Sequence, residues 1–352
     1  MKNMDHLSRQ GAINRRSFLK LSGFLGLGVA STGLVPLTAE AVKFNRKQYK
    51  ISKTRLAMGT VVSMTLIHSS RDRADEAMGR AFDEIERLTG LMNRFDDVTA
   101  VALLNREGYL KDIPPEVTQV VTRALEYHNL SRGTFDITVK PVVDLFKKTF
   151  EGKAHKAPSD KALNQALQLV DARNISLNGR IVSFKKPGMG ITLDGIAKGY
   201  IVDRASEVLS DHGIKNHLIN AGGDIRTRGE KADKKPWTVA IQDPLKKKDY
   251  PDIIHMRDGA VATSGNYEIY YDREKMFHHI VNPRTGFSPE LNASVSVLAD
   301  TAMDADALST SVFVMAPERG VGFINAMPRA ECLIVAKEGA LMKSRGWKSV
   351  KA

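Results

Sequence analysis

Residues 55–93 read RLAMGTVVSMTLIHSSRDRADEAMGRAFDEIERLTGLMN, and a change of period inside them points to the fold class. Residues 55–68 are rich in β-branched and apolar side chains, which predicts a strand. From Arg71 onward Ala74, Ala77, Ala81, Ile85 and Leu88 recur three or four residues apart and share one helical face. Upstream, residues 42–53 read as a polar connector. Downstream, Pro115 opens a helix in PEVTQVVTRALEYHNLSRG, with Gly133 as its stop. NISLNGRIVSF, residues 174–184, reads as a hairpin around Asn178-Gly179. Another helix runs from about Ile196 to His212 and stops at Gly213. Short strands follow in HLIN, WTVAIQ, ASVSVLA and CLIVAK, mixed with helices over residues 301–315 and around ERGVGFINAM. The mixture lacks the regular βαβ beat of a doubly wound sheet, so residues 54–352 are expected to form one α+β unit.

The bulk numbers narrow the function. Apolar residues make up 42% of the 352 and charged residues 26%, as in a globular protein, and no apolar run after the N-terminal segment reaches membrane-spanning length. Net charge is +12; Lys2, Arg9, Arg15, Arg16 and Lys20 against Asp5 and Glu40 supply +3 of it within the first 41 residues, leaving +9 for the remainder. A basic surface attracts anions, but no nucleic-acid motif accompanies it and no nucleic-acid partner is expected. The single cysteine, Cys332, has no intramolecular partner and lies in a strand-like run, which suits a buried inert thiol.

The N-terminus is a targeting signal by composition. Paired Arg15 and Arg16 precede an apolar stretch from Leu21 to Leu37 softened by four glycines, then Pro36 and a small-residue Ala39-Glu40-Ala41 end. It resembles a twin-arginine export signal spanning residues 1–41. An N-terminal anchor is the alternative, and the proline, the glycines and the small-x-small site favour cleavage. Export by the twin-arginine machinery to the periplasm is the expectation.

The chemistry gathers in punctuated stretches. TAMDADALSTSVFVM, residues 301–315, reads as a helix with Asp306 and Thr310 four apart, so that a carboxylate stacks above a hydroxyl. A bland reading competes: Asp304 and Asp306 sit in a first turn where the helix dipole favours anions, and Thr310 bonds back to a carbonyl. ITLDGIAKGY, residues 191–200, combines glycines, a helix start and Lys198, a set that suits a pyrophosphate without matching a Walker A or Rossmann fingerprint. His278 and His279 precede IVNPRTG; two consecutive strand residues face opposite sides, so at most one meets a given pocket.

Taken together and in this order, MGT at Met58, MNRFDDVTAVALLN, GTFDIT, LDGIAKGYIVD, NAGGD, HHIVNPRTG and DADALST resemble the ApbE family of FAD:protein FMN transferases, from about residue 50 to the C-terminus. The resemblance implies a T-fold-like α+β architecture that binds FAD and Mg²⁺, cuts the pyrophosphate, leaves FMN esterified through phosphate to a Thr or Ser of an acceptor flavoprotein, and releases AMP. It places Met58, Phe95, Phe135, Asp136, Lys198 and Ile280 in the FAD pocket. It places the Gly195 carbonyl, Asp306 and Thr310 on magnesium, with Ser309 close by, and makes His279 the candidate base for the acceptor hydroxyl. The acceptor class is a redox-complex subunit or a periplasmic reductase.

Two departures mark this chain. Where the family usually carries Asp-Leu-Gly-Gly, this sequence has Thr192-Leu193-Asp194-Gly195, and Asp194, two residues along on the same face of a strand, is the candidate substitute for the missing carboxylate. Asn282-Pro283 stands for the more frequent Asp-Pro. The alternative function is an accessory protein that holds or delivers FAD without transferring FMN; the Asp306/Thr310 pair and His279 favour the enzyme. The export reading predicts a mature chain beginning near Val42 by mass spectrometry, and folded protein stranded in the cytoplasm when Arg15 and Arg16 are both replaced by Lys.

Overall fold

The computed structural model describes residues 13–14, 40–45, 48–151, 157–231, 234–244, 249–266 and 280–350. Most of the expected export signal, and His278 and His279, lie outside them. The chain is in strand well before Lys53: β1 (Glu40–Asn45) pairs antiparallel with β2 (Gln48–Ala57), so the stretch read as connector 42–53 is largely sheet. The sequence conceals this because Ile51 is the one buried residue on β2. Polar contacts dominate the strand instead, with Ser52 hydroxyl 3.0 Å from that of Thr65 and Lys53 Nζ 3.0 Å from Asp75. Residues 55–68 are likewise two strands rather than one. β2 turns into β3 (Thr60–His68) through Met58 and Gly59, whose φ angles of 53° and 71° are those of a tight two-residue hairpin. Methionine seldom takes that conformation, so the turn is not announced by composition.

Helix α1 (Arg71–Met92) follows the sequence reading, with Ser70 capping its start and all five expected positions buried. α2 (Ala100–Glu107) is capped by Thr99 and closed by Gly108 at φ 69°; eight residues are too few for periodicity to show. β4 (Tyr109–Leu110), α3 (Pro115–Leu130), α4 (Lys140–Glu151), α5 (Asp160–Leu167), β5 (Ile175–Asn178) and β6 (Ile181–Phe184) come next. The β5–β6 hairpin pairs Asn178 with Ile181, so its two turn residues are Gly179 and Arg180, one place later than expected. Then come α6 (Ala197–Asp211), β7 (Asn216–Ala221), β8 (Asp224–Arg228), β9 (Trp237–Ala240), β10 (Ile253–Met256), β11 (Gly259–Gly265) and β12 (Asn292–Ala299). α7 (Ala302–Phe313), α8 (Pro317–Asn325), β13 (Glu331–Ala336) and β14 (Leu341–Lys343) complete the chain.

The main sheet has nine strands in the order β14-β13-β12-β11-β8-β7-β3-β2-β1, every neighbour antiparallel. Alternation along the strands splits its side chains between two cores. Met64, Ile219, Ala260, Ala262, Cys332 and Ile334 pack against α1, α6 and α7. Val261 and Leu333 point the other way, onto Val239, Ile254 and Trp347. Helices gather on one face of an antiparallel sheet, so the architecture is α+β as expected. Burial pushes the Cys332 thiol up to about 11, which keeps it inert. No described helix is long and apolar enough to cross a membrane.

His217 on β7 is fully buried. Its Nε2 lies 2.7 Å from the Ser206 hydroxyl and its Nδ1 3.1 Å from the Ile214 carbonyl oxygen. Burial holds its pKa down at about 4, against an ordinary 6.5. The folded value lies below the unfolded one, so folding disfavours the proton, and stability is lost as pH falls from about 6.5 towards 4, by roughly 3 kcal/mol. Thermal melts across that window should therefore fall more steeply for the native chain than for His217→Gln.

Candidate active site

The site is built where two hairpin turns share an end of the sheet. β3 and β7 are neighbours, with Val62 opposite Ala221, so the Met58-Gly59 turn stands beside the Gly222-Gly223 turn of β7–β8. A Cβ on Gly222 would lie 2.4 Å from the Thr60 hydroxyl, and φ is 62°, so glycine is required twice over. Asn220 Oδ1 accepts the Gly223 N–H at 3.0 Å. Over this end sits the start of α6, where Lys198 Nζ is 3.4 Å from Asp224 Oδ2. Burial pushes the Asp224 carboxyl up, while Lys198 and a main-chain hydrogen bond from Thr263 oppose that shift. The lysine head is thus tethered to the NAGGD turn rather than swinging in solvent.

The glycines of ITLDGIAKGY serve packing first. A Cβ on Gly199 would come within 2.2 Å of the Ala302 carbonyl oxygen, so α6 and α7 touch backbone to backbone. Two of the first-turn N–H groups are in use within the protein: that of Ala197 goes to the Leu193 carbonyl at 2.8 Å, and that of Gly199 to Asp306 Oδ2 at 3.1 Å. On α7 the Thr301 hydroxyl accepts the Asp304 N–H at 3.1 Å. Asp304 Oδ1 accepts from Tyr127 at 2.8 Å and from Arg123 Nη2 at 2.9 Å. The first-turn reading therefore holds for Asp304, and Asp306 has a different place.

One turn beyond Asp306, the hydroxyls converge. Ser264, at the end of β11, has its Oγ 2.8 Å from that of Ser309 and 3.4 Å from that of Thr310. Ser309 donates to the Asp306 carbonyl oxygen at 2.9 Å. A Cβ on Gly195 would stand 3.0 Å from Thr310 Oγ1 and 3.4 Å from the Phe135 ring, so the Gly195 backbone meets both. Thr310 thus meets the Gly195 backbone, and Asp306, one turn earlier on α7, reaches α6 four residues further on, at Gly199. Ser264 carries no motif of its own; its only signal in the sequence is the Thr-Ser-Gly end of an otherwise apolar run, residues 259–265. The oxygen donors of this neighbourhood are the hydroxyls of Ser264, Ser309 and Thr310, with the Asp306 carboxylate one turn away and the Gly195 backbone against Thr310. Such a set suits a hard cation that keeps part of its water, as Mg²⁺ does, and not a soft metal. Among the described residues no three His, Cys, Asp or Glu side chains gather to offer an alternative.

The expected FAD-pocket residues divide. Phe135 is buried against Gly195 and meets Tyr127 edge-on, with ring centroids 6.3 Å apart. Met58 is half-buried against the main core, which contains Ile280. Phe95 is 63% exposed, with the Arg94 guanidinium 4.2 Å and Lys147 Nζ 5.0 Å from its centroid. Asp136 turns into the protein. Its Oδ1 accepts the Thr138 N–H at 2.8 Å and its Oδ2 the Ala172 N–H at 3.1 Å. His128 Nδ1 lies 3.2 Å from Oδ2 and is raised above the ordinary imidazole range chiefly by that contact. Asp136 shapes the loop that presents Phe135.

Asp194 is corrected in its surroundings. Residues 191–196 form no strand, because Asn105 clamps Ile191 through both its N–H, at 2.6 Å, and its carbonyl, at 2.9 Å. The same-face argument therefore fails. Asp194 is 56% exposed and pairs with Arg94 at 3.2 Å, while Thr192 is buried.

Comparison with known proteins places this geometry. The ApbE family model matches residues 58–334. A FAD:protein FMN transferase of Vibrio cholerae serotype O1 is 34% identical over 218 residues, which are 61% of this chain and 65% of that protein. One of Treponema pallidum is 28% identical over 317 residues, 84% of this chain and 87% of that one. The solved ApbE protein of Thermotoga maritima superposes with a TM-score of 0.76 at 31% identity, covering 84% of this chain and 97% of the other. The flavin transferase ApbE of Vibrio cholerae gives 0.73 at 26% identity, covering 88% of this chain and 98% of that one. With one family model spanning most of its length and matched structures almost wholly covered, the chain belongs to the ApbE family.

Proposed function

We propose that this chain is a magnesium-dependent FAD:protein FMN transferase, which moves the FMN part of FAD onto a Thr or Ser hydroxyl of an acceptor flavoprotein and releases AMP. The observation that carries this reading is the meeting of Thr310, Ser264 and Gly195 one turn along α7 from Asp306, beside the tethered Lys198, within a chain whose relatives bear that enzyme name. Phe135, Met58, Ile280 and the exposed ring of Phe95 offer apolar faces for a flat ring system. A bond forms between the acceptor oxygen and the FMN phosphorus, the bond from that phosphorus to the bridging oxygen breaks, and AMP leaves with the bridging oxygen. Lys198, held by Asp224, places a positive charge for the phosphate oxygens, and Phe135 beside Gly195 links the ring pocket to the oxygen cluster. Asp306, Thr310 and the Gly195 carbonyl would hold Mg²⁺, which would supply further charge neutralisation. The acceptor hydroxyl is a weak nucleophile until a base takes its proton, and His279 is assigned that role from its place before Ile280. The reaction is assigned to the periplasm, on a redox-complex subunit or reductase exported there.

Incubation with FAD, Mg²⁺ and a candidate acceptor should yield AMP and an acceptor heavier by one FMN less a water; FAD binding without AMP would leave only an accessory role. His279→Ala should retain FAD and slow transfer by roughly 10² to 10⁴, the usual worth of a positioned base, with His278→Ala affected far less. For Asp306, alanine also strands the Gly199 N–H, a loss of about 1–3 kcal/mol in stability. Asp306→Asn keeps an acceptor there, so its melting temperature should stay near native while AMP release demands far more Mg²⁺. Full activity of Asp306→Asn at low Mg²⁺ would remove the cation site from the mechanism.

A further inference from the structure

Helix α7 carries the proposed cation ligands, yet its start is held by a residue 99 positions away in the chain. Asp203, on α6, accepts the Ala302 N–H on Oδ1 at 2.9 Å and the Met303 N–H on Oδ2 at 2.8 Å. With Thr301 taking the N–H of Asp304, the first three N–H groups of α7 are satisfied, and two of them by another helix. Gly199 and Asp203 are four apart on α6, as Ala302 and Asp306 are on α7, so each pair lies on one helical face. The bonds run in opposite senses: α6 gives its Gly199 N–H to Asp306, and α7 gives two N–H groups to Asp203. The backbone contact of Gly199 with Ala302 lies between them and leaves no room for a slide. Arg226 on β8 is 3.6 Å from Asp203 and also donates to the Asp300 carbonyl oxygen, which ties the crossing to the sheet.

We propose that Asp203 is a positioning residue for the cation site, setting the register of α7 on α6 so that Thr310 meets the Gly195 backbone and Asp306 meets the Gly199 N–H. This rests on the cation reading above. Stability alone does not account for a carboxylate here. Burial pushes the Asp203 carboxyl up to about 6, against the pull of the two N–H groups and Arg226, so a neutral side chain would relieve a desolvation cost. What an amide cannot do is accept both N–H groups, since one of its two ends is itself a donor. Two acceptors on one rigid fork fix both the position and the rotation of a helix start; one acceptor fixes only the first.

The test is binding of Mn²⁺ alone to the full mature chain, followed by electron paramagnetic resonance of the free ion, beside thermal melts without metal. Asp203→Asn should weaken Mn²⁺ binding about 10- to 100-fold, the range seen when groups that orient metal ligands are changed, while the melting temperature changes little. Asp203→Glu keeps the charge and both acceptors but shifts them by one methylene, and should also bind Mn²⁺ more weakly. Asp252→Asn is the control: on the far face Asp252 accepts from Trp347 Nε1 at 2.8 Å and Ser349 at 2.6 Å, so its loss should lower the melting temperature and leave Mn²⁺ affinity unchanged. Native affinity in both Asp203 variants would overturn the positioning role alone. Absence of Mn²⁺ binding by the unaltered chain would overturn the cation reading and this inference with it. Failure of AMP release with Mn²⁺ binding intact would touch the transferase reading and not this one.

Discussion

Helices α6 and α7 cross so closely that a methyl group on Gly199 would collide with the Ala302 carbonyl, and the geometry of the site follows from that contact. Backbone atoms in contact let side chains of one helix reach main-chain groups of the other, which ordinary interaxial spacing of 8–10 Å prevents. Asp203 and Asp306 exploit this in opposite senses. The crossing also fixes how far along α7 the chain meets the turn before α6, and hence which α7 residue stands against Gly195. That residue is Thr310.

Around this crossing, charge is held in place by pairing. Lys198 is positioned by buried Asp224, and Arg94 bridges Asp144 and Asp194, each at 3.2 Å. Buried ionic groups are expensive to desolvate and contribute little to stability by themselves. Their value here is orientation: each cation is held in place by its carboxylate partner. Asp136 works differently: it accepts main-chain N–H groups from Thr138 and Ala172 and so sets the path of the loop carrying Phe135.

The departure at Thr192 takes on a physical meaning in the same frame. A carboxylate at that buried position is absent, and Asp194 does not replace it in place or orientation, since it faces Arg94 with more than half its side chain exposed. The Thr192 N–H goes to the Ile137 carbonyl at 2.8 Å, which joins the loop before α6 to the loop of Phe135. In this chain the hydroxyls of Ser264, Ser309 and Thr310 cluster one turn along α7 from Asp306, whose carboxylate accepts the Gly199 N–H.

What the sequence by itself determined were features written within one element. The apolar stripe of α1, Pro115 and Gly133 around α3, the stop of α6 at Gly213 and the spacing of Asp306 and Thr310 are set by helical period and by residues with narrow backbone preferences. Motif order led to the family for the same reason, since each motif is local. The early strand at Gln48, the Met58-Gly59 turn and the non-strand path of residues 191–196 were hidden because pairing partners, rather than their own side chains, hold them. Only the tertiary structure decided that Asp304 answers to Arg123 while Asp306 answers to Gly199, that Asp136 faces inward, and that Ser264 joins Thr310. Those assignments depend on which distant N–H or hydroxyl arrives beside a given oxygen. That is fixed by helix crossing and strand register, and the spacing of residues along a chain carries no record of either.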